Sequence, residues 1–298
     1  MRLTDWLIVI ALGTVWGGSF LFNAIMVQEI NPITISFGRV FFAALLCWAV
    51  FFALGKRIKL DGKTLLGLIT LGIVNFAIPF ALFPLAQKSV SVGVSGITNA
   101  LTPIMVVIVS QFWPGGEKAT FSKSLGVLAG FSGVTILAIP ALQQGGHSEL
   151  WAIGLIILAT LCYGISMNIV RSYHHIDSTL TTCIALTGAS LALLPFMLTI
   201  EGIPHITKAQ TWWSIGYISI IATAIPFLIV YKLVERVGAT NFSTATFVAP
   251  VSALILGFLV LGEPILPVHL FGMLAIFIGI LMIDGRLFLL LKRPKPTL

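Results

Sequence analysis

The chain has 298 residues, of which 58% are hydrophobic and only 9% charged, with a mean hydropathy of +1.06. Soluble domains carry about 25% charged residues, so this composition excludes a soluble globular fold and points to a polytopic membrane protein. The net charge of +7 then concerns loop placement rather than nucleic-acid binding, because positive residues collect in cytoplasmic loops.

Ten stretches are apolar and long enough to cross a bilayer as helices, which takes about 20 residues each. Span 1 covers roughly Trp6–Gln28, after Thr4 and Asp5 as cap residues. Its apolar run outlasts the h-region of a signal peptide, about 7–15 residues, and similar stretches follow, so it reads as an uncleaved first span. Span 2 is about Pro32–Leu54, opened by Asn31-Pro32 with proline in the first helical turn. Span 3 is about Thr64–Gln87, span 4 about Ser91–Trp113 and span 5 about Ser122–Ala141. A polar, turn-rich linker from Gln143 to Ser148 follows. Span 6 is about Leu150–Tyr173, span 7 about Ser178–Ile200, span 8 about Thr211–Val234, span 9 about Ala239–Leu261 and span 10 about Leu266–Leu291.

With the N-terminus in the cytoplasm, fourteen Lys and Arg residues fall on that side and only Lys88 and Lys208 on the other. This asymmetry predicts both termini in the cytoplasm and requires an even number of spans.

The chain repeats itself. Ala77-Ile78-Pro79-Phe80 returns as Ala224-Ile225-Pro226-Phe227, and Pro103 returns as Pro250, both at an offset of 147 residues. Trp16-Gly17-Gly18-Ser19 faces Tyr163-Gly164-Ile165-Ser166 at the same offset. Gly116-Glu117, Gly126 and Gly133 face Gly262-Glu263, Gly272 and Gly279 at an offset of 146. One register with a single one-residue slip implies an internal duplication, with copies over residues 1–145 and 146–298. Five spans per copy is an odd number, so the second copy enters the membrane upside down. Inverted-topology repeats of this kind build many secondary transporters, with the substrate near the midplane where the halves meet.

The segments Asn99-Ala100-Leu101-Thr102-Pro103 and Thr246-Phe247-Val248-Ala249-Pro250, the Gly-Glu pairs and the paired glycines that follow them resemble the EamA domain of the drug/metabolite transporter superfamily. Trp16-Gly17-Gly18-Ser19 on span 1 and Arg39 on span 2 add to the resemblance, which covers nearly the whole chain as two tandem domains. It implies ten helices in two inverted five-helix repeats and export of metabolites, amino acids or drugs from bacteria. It does not imply a particular substrate. Two departures matter. Arg39 has no twin, because its offset position is Leu186. The interior of span 1 also lacks the glutamate that small four-helix cation-drug exporters of the superfamily use there.

Several polar residues inside spans are candidate substrate ligands. Arg39 lies about seven residues into span 2, where a guanidinium needs a partner. It either holds a substrate carboxylate or phosphate, or it caps helix carbonyls or pairs with Glu29. Ser95, Thr98, Asn99 and Thr102 form a polar stripe on one face of span 4. Asn241, Thr244 and Thr246 mirror it on span 9. Each stripe lines a cavity or serves as helix–helix glue. Trp16, Ser19 and Asn23 share a face of span 1, with Tyr163, Ser166 and Asn168 near the equivalent face of span 6. These suit either an amphipathic pocket or plain packing. Asn75 and Phe76, just before Pro79, are further candidates. Pro79, Pro103, Pro226 and Pro250 are the expected kinks or hinges.

Glu117 and Glu263 are expected to cap helices or pair with loop bases, and Asp284 to pair with Arg286 or Lys292. The glycines at 126, 133, 272 and 279 mark a packing or dimer seam. Cys47, Cys162 and Cys183 lie in apolar runs, and His174-His175 lacks partner ligands, so no metal or cofactor is expected. No acid, base or nucleophile constellation is present, which argues against an enzyme.

The expectation is therefore an all-α integral membrane protein of ten transmembrane helices, exporting a small metabolite, an amino acid or related amphipathic solute, by alternating access. It would sit in a bacterial inner membrane as a monomer or homodimer. Its partners would be the small-molecule substrate and the lipid bilayer, not nucleic acid. The alternatives are a multidrug exporter or a non-transporting scaffold or lipid-handling protein.

Overall fold

The computed structural model describes residues 2–118, 120–237, 242 and 245–284, and within these all side chains except those of residues 144, 231, 232, 234 and 235. Every regular element among the described residues is helical. The segments are α1 (Leu3–Met26), α2 (Pro32–Ala53), α3 (Gly62–Ala86), α4 (Val92–Phe112), α5 (Phe121–Gln144), α6 (His147–Ser172), α7 (Ser178–Glu201), α8 (Ala209–Val237), α9 (Ala245–Leu261) and α10 (Pro267–Ile283). The first eight are long and apolar enough to cross a membrane, while α9 and α10 are shorter apolar helices of 17 residues. Most of the expected remainders of spans 9 and 10, residues 239–241, 243–244 and 285–291, lie outside the described residues.

Local chemistry sets the starts of several helices. The side chains of Asp61, Ser91, Thr120 and Asp177 each accept the backbone N–H three residues on, which satisfies a donor that the first helical turn leaves orphaned. The six-residue linker expected between the halves is shorter in fact. Helix α5 runs to Gln144, Gly145 turns left-handed at φ +68° and α6 resumes at His147. A left-handed glycine closes a helix in one residue, so only Gly145 and Gly146 remain between them.

Proline shapes the middle of three segments. Pro79 has no N–H for the Asn75 carbonyl, and the turn before it, Ile73–Ala77, widens to π geometry, with the Ile78 N–H on the Ile73 carbonyl. Pro226 likewise follows a π stretch, Tyr217–Ala224. Helix α4 breaks at Ala100-Leu101, just before Pro103. The Asn99 carbonyl that Pro103 cannot serve accepts the Thr102 hydroxyl at 2.8 Å. The expected kink at Pro250 has no such break, since α9 is helical through it.

The helices pack in pairs that survive exchange of the first five for the last five. Helix α1 lies on α9 and α6 on α4, while α2 lies on α8 and α7 on α3. The pairs α2–α7, α4–α9 and α5–α10 map onto themselves. The α5–α10 pair packs backbone to backbone. A Cβ at Gly133 would stand 2.5 Å from the Gly272 carbonyl oxygen, and one at Gly126 2.6 Å from that of Gly279. The glycine seam is therefore filled inside the chain and is not free as a dimer seam. Outward faces carry large apolar side chains such as Leu45, Leu128, Leu191, Phe258 and Phe271, as hydrocarbon surroundings demand.

Polar ties join the two halves at each end of the bundle. At the end that holds the α1–α2 and α7–α8 connections, Glu29 accepts the Thr207 and Lys208 N–H groups at 2.9 Å and the hydroxyls of Thr207 and Thr211. Glu201 accepts Ile33 N–H (2.9 Å), Thr34 N–H (2.7 Å) and the Thr34 hydroxyl (2.8 Å). Glu263 accepts Val92 N–H at 2.9 Å, so it caps a helix of the other half. At the opposite end Lys56 pairs with Asp177 at 2.7 Å and Asp5 with Arg236 at 2.7 Å. Glu117 pairs with Lys123 at 2.5 Å, tying the α4–α5 connection to the first turn of α5. The expected pairing of Asp284 falls on residues outside those described.

Candidate functional site

A cavity of about 240 Å³ lies between α1, α2, α3, α4, α6, α8 and α9. Trp16, Ser19 and Asn23 reach it from α1, Arg39 from α2, Asn75 from α3, Asn99 and Thr102 from α4, Tyr163 from α6 and Thr246 from α9. All nine were expected from the sequence as substrate ligands. Phe20, Phe80, Phe83, Met167, Phe227 and Phe242 supply the apolar part of the wall. This mixture of aromatic surface with a few polar groups is the usual make-up of a small-molecule site.

The glycines of Trp16-Gly17-Gly18-Ser19 bring α1 close to its neighbours. A Cβ on Gly17 would collide with Ser252 on α9, and one on Gly18 with the hydroxyl of Tyr217. That hydroxyl instead donates to the Val15 carbonyl at 3.1 Å. With the main chain fixed there, Ser19 and Asn23 lie on the buried face, and Ser19 Oγ and Asn23 Oδ1 have no hydrogen-bond partner among the described residues. Buried polar atoms are normally paired, so two orphans beside a cavity mark where a polar group of a ligand would be best received.

Among the described residues Arg39 is the one charged side chain in the wall. It is 6% exposed, about 10 Å along α2 from its start. Its Nε donates to Thr223 Oγ1 at 2.8 Å, and its guanidinium carbon stacks 3.6 Å above the Phe80 ring. The π stretch of α8 makes this possible: the Thr223 hydroxyl donates five residues back, to Ile218 O at 2.7 Å, and so faces α2. Among the described residues Arg39 has no carboxylate partner. Glu29, expected as one alternative, is engaged at the end of the bundle instead. Nor does Arg39 cap a helix carbonyl among the described residues. The Phe80 stack is worth up to about 2 kcal/mol but leaves the positive charge uncompensated, and Nη1 and Nη2 bond to no described residue.

Other expected ligands lie elsewhere. Phe76 is buried at 2% exposure and packs edge-on against Phe227 at 4.9 Å, within the core shared with α2 and α7. Ser166 sits behind the wall, donating to Asn75 Oδ1 at 2.7 Å and so orienting that amide. Ser95 and Thr98 are fully buried without hydrogen-bond partners among the described residues, and do not line the cavity. Asn168 ties α6 to α4 by accepting the Ser110 hydroxyl at 3.0 Å. Asn241 and Thr244 lie outside the described residues. Thr223, which holds the Arg39 Nε–H, is not among the ligands expected from the sequence. Its one signal was its place in the repeat, at the offset position of Phe76.

Glu29, outside the spans, is held down to about 2 by the hydroxyl of Thr211, then that of Thr207, and by the backbone N–H groups of Thr207 and Lys208. Among the described residues no three His, Cys, Asp or Glu side chains come together as a metal site.

Comparison with known proteins agrees with this architecture. A transporter of uncharacterised function from Archaeoglobus fulgidus is 28% identical over 269 residues, 87% of this chain and 91% of the relative. A protein named as a probable terminal-alkyne amino-acid exporter from Streptantibioticus cattleyicolor is 22% identical over 67% of this chain and 66% of its own length. One crystal structure superposes with a TM-score of 0.67 at 15% identity, covering 96% of this chain and 99% of its own, so the two share a fold. The model of the EamA-like transporter family matches residues 4–139 and again 150–284. The chain, an integral membrane protein of two tandem homologous segments, therefore belongs to the EamA-like transporter family.

Proposed function

We propose that this chain is a secondary transporter that exports an amino-acid-sized solute bearing a carboxylate, by alternating access about the cavity. The observation that carries the proposal is Arg39: a buried guanidinium in the cavity wall whose Nη groups have no partner, and whose charge has no counter-ion, among the described residues. A carboxylate of the solute completes that pair, and the aromatic wall receives its side chain. The cavity of about 240 Å³ falls below the roughly 300–1,000 Å³ of pockets for drug-sized ligands, which favours a small metabolite over a multidrug exporter. The relative named for amino-acid export points the same way.

Alternating access rests on the duplication. All ten segments cross the membrane in this reading, and the second five are inverted relative to the first. The exchange-symmetric packing of the helices supports two halves that trade conformations, closing one face as the other opens. The excess of Lys and Arg around the α2–α3 connection and at other sites on the same end supports both termini in the cytoplasm of a bacterium, with the protein in the inner membrane.

A thermal-shift screen of the purified protein against about a hundred metabolites tests the site. A ligand at 100 times its Kd stabilises the native state by about 2.7 kcal/mol. Carboxylate-bearing amino acids should raise the melting temperature of the wild type, and Arg39→Gln should abolish that response. Stabilisation by carboxylates that survives in Arg39→Gln would remove Arg39 from the site.

A further inference from the structure

The charge of Arg39 bears on transport with an empty site as well as a full one. Alternating access passes through a state in which the cavity is closed to water on both sides. With the solute bound, that state holds a guanidinium paired with a carboxylate. With the site empty, it holds a guanidinium whose fixed partners are one hydroxyl, Thr223 Oγ1 at 2.8 Å, and one ring, Phe80 at 3.6 Å. Neither carries charge. No described carboxylate lies in the cavity wall: Glu29, Glu201 and Glu263 are tied to backbone N–H groups at one end, Asp5, Asp177 and Glu117 are in ion pairs, and Asp61, Glu149 and Asp284 sit at helix ends. Breaking a buried charge pair by removing one partner is strongly unfavourable, because the other charge stays behind uncompensated.

From this we infer that the protein is an exchanger: the loaded carrier changes face readily, and the empty carrier does so slowly. Each outward step of one carboxylate solute is then followed by return of the site with another carboxylate solute bound. The inference rests on Arg39 as the carboxylate ligand proposed above. On membrane-insertion scales an uncompensated arginine slows the empty return on the order of 100-fold.

The test uses the full chain in liposomes loaded with a uniformly ¹⁴C-labelled mixture of protein amino acids. Efflux is followed into buffer alone and into buffer containing the same mixture unlabelled. For the wild type, the rate into the unlabelled mixture should exceed the rate into buffer by at least about tenfold. A ratio near one overturns the exchange inference and leaves the carboxylate-solute reading standing. Failure of every component to leave under either condition overturns that reading too, so the two failures are distinct. Arg39→Lys keeps the charge and should keep a raised ratio. Arg39→Gln, checked for folding by its melting curve, removes the carboxylate ligand and the retarding charge together, so its efflux should be weaker and equal into buffer and into the unlabelled mixture. A wild-type ratio in Arg39→Gln, or a ratio of one in folded Arg39→Lys, shows that the charge is not what retards the empty carrier and overturns the inference.

Discussion

The seam between α5 and α10 offers a sharp test of the packing. Gly133→Ala places a methyl 2.5 Å from the Gly272 carbonyl oxygen, 2.7 Å from Ile276 Cγ1 and 3.0 Å from the Ile276 nitrogen. Two of these three atoms are backbone, so no rotamer change relieves the clash, and the helices must separate by about 1 Å to reach the usual 3.5–4.0 Å contact distance. Overpacking costs about 1–3 kcal/mol. Against it stands the gain in helix propensity from Gly to Ala, about 1 kcal/mol. Because backbone is the obstacle, the upper part of the range applies and the net loss is about 2 kcal/mol. Gly154→Ala is the control: Gly154 lies inside α6, and a Cβ there meets nothing within 4 Å. It should be neutral or stabilise by up to about 1 kcal/mol. Thermal unfolding in detergent, followed by tryptophan fluorescence, reads both. If Gly133→Ala melts at or above the Gly154→Ala variant, the close approach of α5 and α10 is wrong, and with it the assignment of the seam to the inside of the chain.

Three further outcomes are expected. Glu201→Ala removes three hydrogen bonds that tie α7 to the start of α2; loss of such a cap costs about 0.5–2 kcal/mol, and an unchanged melting temperature would count against the tie. Glu29 has a folded pKa lowered from 4.5 to about 2, so its stabilisation is complete above the unfolded value and is lost as pH falls through the folded one. The difference in melting temperature between wild type and Glu29→Gln should therefore be constant from about pH 6 to 8 and close only below about 4.5; closure near neutrality would refute the cause given. Thr223→Val removes the acceptor of the Arg39 Nε–H at nearly constant volume. Titrations of carboxylate-bearing amino acids should show affinity about tenfold weaker, and unaltered affinity would mean that Thr223 does not position Arg39.

Most of the candidate site was legible as a set of positions but not as a set of orientations. Nine of the sixteen candidate ligands line the cavity, because polar residues inside apolar spans are costly facing lipid and turn inward; two lie outside the described residues. Which inward face they take was not legible. Ser166 and Asn75 both turn inward, yet one lines the cavity and the other braces it from behind. The π turns before Pro79 and Pro226 each add a residue to the helical turn and change the face presented beyond it. That is how Phe76 comes to pack in the core while its repeat partner Thr223 holds Arg39.

The sequence by itself determined the membrane class, the helical segments, the duplication and the charge asymmetry, because each depends on composition, local periodicity or similarity along one strand of text. Only the tertiary structure decided the partners. Glu29 reaches the start of α8 rather than Arg39, and Glu263 caps α4 in the other half. The glycine seam closes within one chain. In a membrane protein both the lipid face and the core are apolar, so hydropathy cannot tell one side of a helix from another. The choice falls to close packing and to the few polar groups that must find each other across more than a hundred residues of chain.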